Sequence, residues 1–257
     1  MNLNLIKYFL GAAGLATLMV SPTFTRAAEA KYQPSDREEI EWCDIWLPHA
    51  NETKPKLPRV LLIGDSITRG YYSAVENRLA GKATVGRLAT SAFISDPLLL
   101  TEIALVLDSG KFDVIQFNNG MHGWRHSEAE YRAAFPKFLK TIRQHAPEAK
   151  LIWASTTPLK GDPAAGSEPA AATDKNVEKQ KLMLQTDLTE RSDARIVARN
   201  AIALEFVQPA GIRVDDLHTL AAGHPEYYNG DVHFNEHGIQ VQAGQVAATI
   251  EAVLPPR

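Results

Sequence analysis

Along this chain, short apolar runs, one of them interrupted by Gln116, alternate with stretches in which apolar residues recur every three or four positions. The runs at residues 60–63 (VLLI), 114–117 (VIQF) and 151–154 (LIWA) are too short for helices and show no polar alternation. That pattern predicts strands covered on both faces. Residues 82–85 and 212–214 predict two more strands. Between them, Leu98, Leu99, Leu100, Ile103, Ala104 and Leu107 fall on one helical face. Ser127 with Glu130 reads as a capping box, each side chain serving a free N–H at a helix start. Behind it runs a stripe of Tyr131, Phe135, Phe138, Leu139 and Ile142. Near the end, Ile239, Ala243, Val246, Ile250 and Val253 keep helical spacing. These stripes predict core-facing helices rather than binding surfaces.

Strands alternating with helices imply a parallel sheet with helices on both faces, and a site at the carboxyl ends of its strands. Residues 161–173 (GDPAAGSEPAAAT) follow the fourth strand and read as a loop on the rim of that site. Residues 31–57 are polar and read as an irregular extension, with Trp42 and Trp46 anchoring it to a domain at 58–257. No internal repeat or second domain is visible.

Composition narrows the classes. The 257 residues are 45% hydrophobic and 22% charged, which suits one α/β domain. A formal net charge of −3 without a basic run argues against nucleic acid. Lys7, the apolar stretch 8–20 and Ala28-Glu29-Ala30 read as a secretory signal at residues 1–30, too short in its apolar part to span a membrane comfortably. Ala27 is a second possible cleavage point, and an uncleaved anchor helix is the alternative. The expectation is an exported protein, periplasmic or secreted, with no stable membrane insertion once the signal is removed. Cys43 is the only cysteine, so no intrachain disulfide forms. It reads as a small buried hydrophobe.

The candidate chemistry follows the first strand, at Gly64-Asp65-Ser66-Ile67-Thr68-Arg69-Gly70. A serine at a helix start just off a buried strand is rigid and exposed, and its own N–H can face a developing oxyanion. The bland reading of Ser66 is a helix N-cap. Before the last helix stands Asn229-Gly230-Asp231-Val232-His233-Phe234-Asn235, where His233 is a candidate base.

Gly-Asp-Ser after an apolar strand, with a His shortly before the final helix, resembles the SGNH, or GDSL, hydrolases. The resemblance spans roughly residues 58–254. It implies a flavodoxin-like three-layer α/β/α sandwich with a five-stranded parallel sheet, and ester hydrolysis through an acyl-serine without a cofactor or metal. It makes Ser66 the nucleophile and His233 the base. The family places a carboxylate three residues before the His, but here that residue is Gly230. Asp231, two before, is the preferred partner; another carboxylate or a Ser–His dyad is the alternative, and Asp215 stands three before His218. In the third block, Asn118-Asn119-Gly120-Met121-His122 resembles a branch reading Asn-x-Gly-x-His, which implies His122 as an oxyanion donor, with Asn118 as a second candidate or a loop cap. The second block lacks its glycine, so the backbone donor falls within residues 91–93, centred on Ala92.

Two rival readings remain. Asp231, His233 and His237, with His218 and His224, include metal-ligand spacings but no H-E-x-x-H pattern. A non-catalytic glycan-binding protein on the same fold is the second. Within the enzyme reading, a carbohydrate O-acetyl ester is the expected substrate, with Trp124 and His126 on a sugar-stacking rim. A lipid ester or a thioester is the alternative.

Overall fold

The computed structural model of the chain describes residues 37–52, 55–160 and 191–255. The expected signal at 1–30 and the loop at 161–173 lie outside them. Six strands form one sheet: β1 (Cys43–Trp46), β2 (Arg59–Gly64), β3 (Thr84–Thr90), β4 (Val114–Phe117), β5 (Lys150–Ala154) and β6 (Arg213–Asp215). Their order is β1-β3-β2-β4-β5-β6, and every pairing is parallel except β1 with β3. The helices among the described residues are α1 (Ser66–Arg78), α2 (Pro97–Asp108), α3 (Glu128–His145), α4 (Asp193–Val207), α5 (Leu217–Ala221) and α6 (Glu236–Glu251). None of them is long and apolar enough to cross a membrane. All the described residues belong to one compact unit.

The apolar runs explain the layering. Side chains alternate across a strand, and β2 shows both halves. Leu61 and Ile63 join a core with Ile103, Phe135, Phe138 and Val207 from α2, α3 and α4. Val60 and Leu62 join another with Tyr72, Val75, Val246 and Ile250 from α1 and α6. Every residue of β2 and β4 is buried. At about 1.5–3 kcal/mol per buried aliphatic side chain, this double burial is the main force holding the three layers together. The parallel strands follow the flavodoxin-like order, so the sheet's direction of growth reverses between β2 and β4. That switch point lies where β2 hands over to Ser66.

The structure corrects the expected strands in two places. The sheet has six strands rather than five, because residues 43–46 of the expected irregular extension add an antiparallel edge. And β3 continues to Thr90 instead of ending at Val85. Both errors have one cause: Arg87 interrupts the apolar pattern of β3. Its guanidinium pairs with Asp44 of β1 at 3.0 Å and lies over the rings of Tyr72 and Trp46, so a strand of polar appearance is satisfied sideways. Consequently Trp46 is no core anchor; it is 54% exposed. Cys43 is likewise exposed on the edge strand rather than buried. Desolvation around its thiol, with Glu102 beside it, pushes its pKa up to about 12, which makes it a poor nucleophile.

Candidate active site

The site is built where β2 ends. A Cβ on Gly64 would lie 2.1 Å from Thr68 Oγ1, so only glycine lets the strand turn this closely onto α1. Asp65 is the N-cap, its Oδ1 accepting from the Ile67 N–H at 2.8 Å. The capping role read as the bland alternative for Ser66 thus falls to its neighbour. Ser66 becomes the first residue of α1, its hydroxyl is free for other work, and its N–H is one of the first-turn donors without an intrahelical acceptor.

His233 arrives from the far end of the chain. A bridge between Tyr228 and Phe234, and the Asn229 N–H donating to the His233 carbonyl at 2.8 Å, close the turn that carries it. Asn235 then caps α6 through Gly238 N–H at 3.0 Å. The result sets His233 Nε2 2.9 Å from Ser66 Oγ. With its proton on Nδ1, the imidazole accepts the serine hydroxyl proton at Nε2.

Asp231 does not join this pair. No hydrogen bond or ion pair connects it to His233, and its side chain is exposed. Gly230 at φ +91 carries the chain round the turn, and the Asp231 carbonyl accepts from Lys160 N–H at 2.8 Å. A carboxylate two positions before the histidine is carried past the ring by that geometry. Among the described residues the Nδ1 edge of His233 has no protein partner.

The oxyanion candidates separate in the same way. Asn118 donates its amide to the Ala154 carbonyl at 2.7 Å and to Thr156 Oγ1 at 3.0 Å. It is a clamp between the ends of β4 and β5, with no hydrogen left for an oxyanion. Ala92 is fully buried, its N–H donating to Thr90 Oγ1 at 3.2 Å and its carbonyl accepting from Asn119 at 2.9 Å. Ser91 N–H donates to the Trp42 carbonyl.

His122 does share a cavity with Ser66 and His233. The cavity measures about 330 Å³ and is rimmed by Trp42, Arg69, Trp124 and Arg191. A second hollow of about 470 Å³, which includes His126, shares His122, Trp42, Trp124 and Arg191 with it.

Sequence reasoning passed over Glu38. Its Oε1 accepts from Gly123 N–H at 2.9 Å and lies 3.5 Å from His122 Nδ1. The hydrogen bond from His122 outweighs burial and holds the Glu38 carboxyl down at about 2. Burial alone would lower the His122 pKa, but Glu38 and the charge of Asp65 raise it above its ordinary value. Arg195 and Arg199 of α4 were also missed. Arg199 is fully buried and donates to the carbonyls of Gly120, His122 and Gly123 at 2.7–2.9 Å. Arg195 donates to the Trp124 and His126 carbonyls and pairs with Glu128 at 2.8 Å. The two guanidiniums lock the loop that presents His122. Their signal in the sequence was a pair of cations, one helical turn apart, on an otherwise apolar face.

The histidines of the metal reading point apart. His224 stacks on Tyr227, His237 meets the same ring edge-on, and His218 faces Asp193. Among the described residues no cluster of three or more His, Cys, Asp or Glu side chains is arranged to hold a metal ion.

Neither a protein-family model nor a curated protein sequence matches this chain. Solved structures do. A carbohydrate esterase family 3 protein from Talaromyces cellulolyticus superposes with a TM-score of 0.54 at 17% identity, over 76% of this chain and 97% of its own. A lipase/acylhydrolase from Enterococcus faecalis gives 0.54 at 18%, over 78% and 98%. An acetyl esterase mutant with acetate ion gives 0.54 at 18%, over 76% and 97%. The chain has the α/β/α fold of the SGNH hydrolases.

Proposed function

We propose that this chain, built on the SGNH hydrolase fold, is a serine esterase that removes a small acyl group, acetyl above all, from a carbohydrate. The observation that carries the reading is the 2.9 Å contact between Ser66 Oγ and His233 Nε2 at the start of a helix whose first N–H is free. A hydroxyl needs a base within this distance to act as a nucleophile.

The chemistry follows from the geometry. His233 Nε2 takes the Ser66 proton as Oγ attacks the ester carbonyl carbon. Negative charge collects on the carbonyl oxygen, facing the Ser66 N–H and His122 Nε2–H. Each preorganised donor of this kind contributes on the order of 10²–10³ in rate. As the tetrahedral adduct collapses, His233 returns the proton to the leaving alkoxide, and the acyl group stays on Ser66. Water, deprotonated by His233, attacks the acyl-enzyme and releases the acid.

Three features support a small acyl group on a sugar rather than a lipid. The cavity beside Ser66 is about 330 Å³ and its rim carries Arg69 and Arg191, which suits a polar molecule. Trp42 offers a flat rim. Structural neighbours are described as a carbohydrate esterase and an acetyl esterase. The apolar stretch at residues 8–20 supports export after cleavage near residue 30, leaving a mature chain in which residues 43–46 supply the edge strand of the domain. Acetate release from p-nitrophenyl acetate tests the reading. Ser66→Ala should lower kcat by about 10³ or more, and an undiminished rate would remove Ser66 from the mechanism.

A further inference from the structure

The whole protein is acidic, with a formal net charge of −3, yet the cavity at Ser66 is not. Among the described residues its charged rim consists of Arg69 and Arg191, with His122 and His233 as the other ionisable groups and no carboxylate. Arg69 stands three residues beyond Ser66 in α1. On a helix that spacing places two side chains on one face, roughly 5–6 Å apart at Cβ. Its guanidinium lies 4.8 Å from the centroid of the Trp42 ring, which holds the planar fork flat at the cavity mouth. Arg191 closes the mouth from the segment leading into α4.

Neither guanidinium forms an ion pair among the described residues. Of the nearby acids, Glu38 and Glu41 are engaged elsewhere, while Glu39 lines the adjoining hollow with Arg191. Glu38 is held by Gly123 N–H and His122, and Arg191 contributes only the last and smallest of the influences on it. Glu41 accepts from Ser91 Oγ at 2.8 Å and from Glu38 N–H at 2.7 Å. Both arginines are exposed and lack an ion pair among the described residues, so an anion at the mouth gains them as partners. The arginine fork matches a carboxylate or a sulfate bidentately.

We propose that the ester substrate carries a fixed negative charge next to its acyl group, and that Arg69 and Arg191 select for it: an O-acylated sugar acid or an equally anionic acylated glycan. This rests on the esterase reading above and specifies its substrate class. A carboxylate and a sulfate present the same chemistry to the pair, and the assay separates them.

The experiment compares kcat/KM for acetate release from three O-acetylated glycosides: a galacturonic acid, its neutral methyl ester and a galactose 6-sulfate. p-Nitrophenyl acetate with Ser66→Ala serves as the control for the esterase itself. The wild type should prefer at least one anionic substrate over the neutral methyl ester by about tenfold at low salt, the sum expected of two partly exposed ion pairs. The preference should shrink toward unity in Arg69→Gln/Arg191→Gln and as salt is raised. Preference for the acid alone, the sulfate alone or both identifies the anion. If the neutral ester is cleaved as well as the anionic ones, in a Ser66-dependent manner, the anion proposal fails and the esterase stands. A preference that survives the double substitution removes the arginines from it. Absence of any Ser66-dependent hydrolysis, p-nitrophenyl acetate included, overturns both.

Discussion

The pairing of Glu38 with His122 makes the sharpest prediction. A neutral imidazole has one N–H. Glu38 draws that hydrogen to Nδ1, so Nε2 donates to an oxyanion only when the ring is an imidazolium. The Glu38→Gln variant keeps an oxygen acceptor for Gly123 N–H but removes the charge. The fall of the Glu38 pKa from 4.5 to about 2 corresponds to roughly 3 kcal/mol at about 1.36 kcal/mol per pH unit. The Glu38 side chain is 31% exposed, so solvent screens part of this, and Gly123 and Arg191 share in it. About 1–1.5 kcal/mol is left for the interaction with His122, which raises the pKa of the ring. The sign is set by the raised pKa of His122. The charged ring is present at low pH and is lost as pH rises through its folded value. The alkaline limb of kcat/KM for p-nitrophenyl acetate should therefore move toward acid in Glu38→Gln, with activity above it lower by up to about tenfold. Stability follows the same linkage. The Glu38 contribution is complete above about 4.5 and is lost as pH falls toward 2; that of His122 is complete below about 6.5 and is lost as pH rises through its raised value. An alkaline limb that stays in place, or moves toward base, would refute the charged-donor reasoning.

Other substitutions test the remaining assignments. Asp231→Ala should change kcat less than about threefold, since no contact to His233 is lost; a drop above a hundredfold would show that this carboxylate orients the ring after all. Arg199→Met strands three buried carbonyls and leaves Glu128 short of a partner. It should cost about 3–5 kcal/mol, read as a fall in Tm of about 10 °C or more, and an unchanged melting curve would count against the clamp. Asn118→Ala should cost about 1–3 kcal/mol in stability through its two lost bonds while lowering kcat less than His122→Ala does; the reverse order of the two kcat effects would restore Asn118 as the oxyanion donor.

What the sequence made legible was whatever one chain segment decides for itself. The buried runs at residues 60–63, 114–117 and 151–154 are strands because nothing but burial on both faces suits them. Ser127 and Glu130 cap α3 as their spacing requires. Ser66 and His233 could be read because each sits at a strand or helix end whose local signals are strong. The rest depends on partners far along the chain. Arg87 hides β3 because its satisfaction comes from Asp44, and Arg199 looks misplaced on α4 until the loop at residues 120–126 is laid against it. Asn118 and Ala92 occupy the expected blocks, yet their hydrogen-bonding groups are spent on Ala154, Thr156, Thr90 and Asn119. A motif position names a residue but not the direction of its N–H. Glu38 left no trace at all, since it lies in a polar stretch without periodicity.

The bond from Gly123 N–H to Glu38 spans 85 positions of sequence. It ties the site to a non-local contact, whose loop-closure entropy must be met before it can form. Glu38 leaves the ribosome long before His122 is made, and the edge strand that anchors it must wait for β3 to pair with. A folding intermediate holding only the central strands and α1 would already display Ser66, but not the Glu38–His122 pair of the same site. On the esterase reading, hydrolytic competence should thus appear late, with docking of the N-terminal edge, so that a half-folded chain would carry Ser66 exposed but chemically idle.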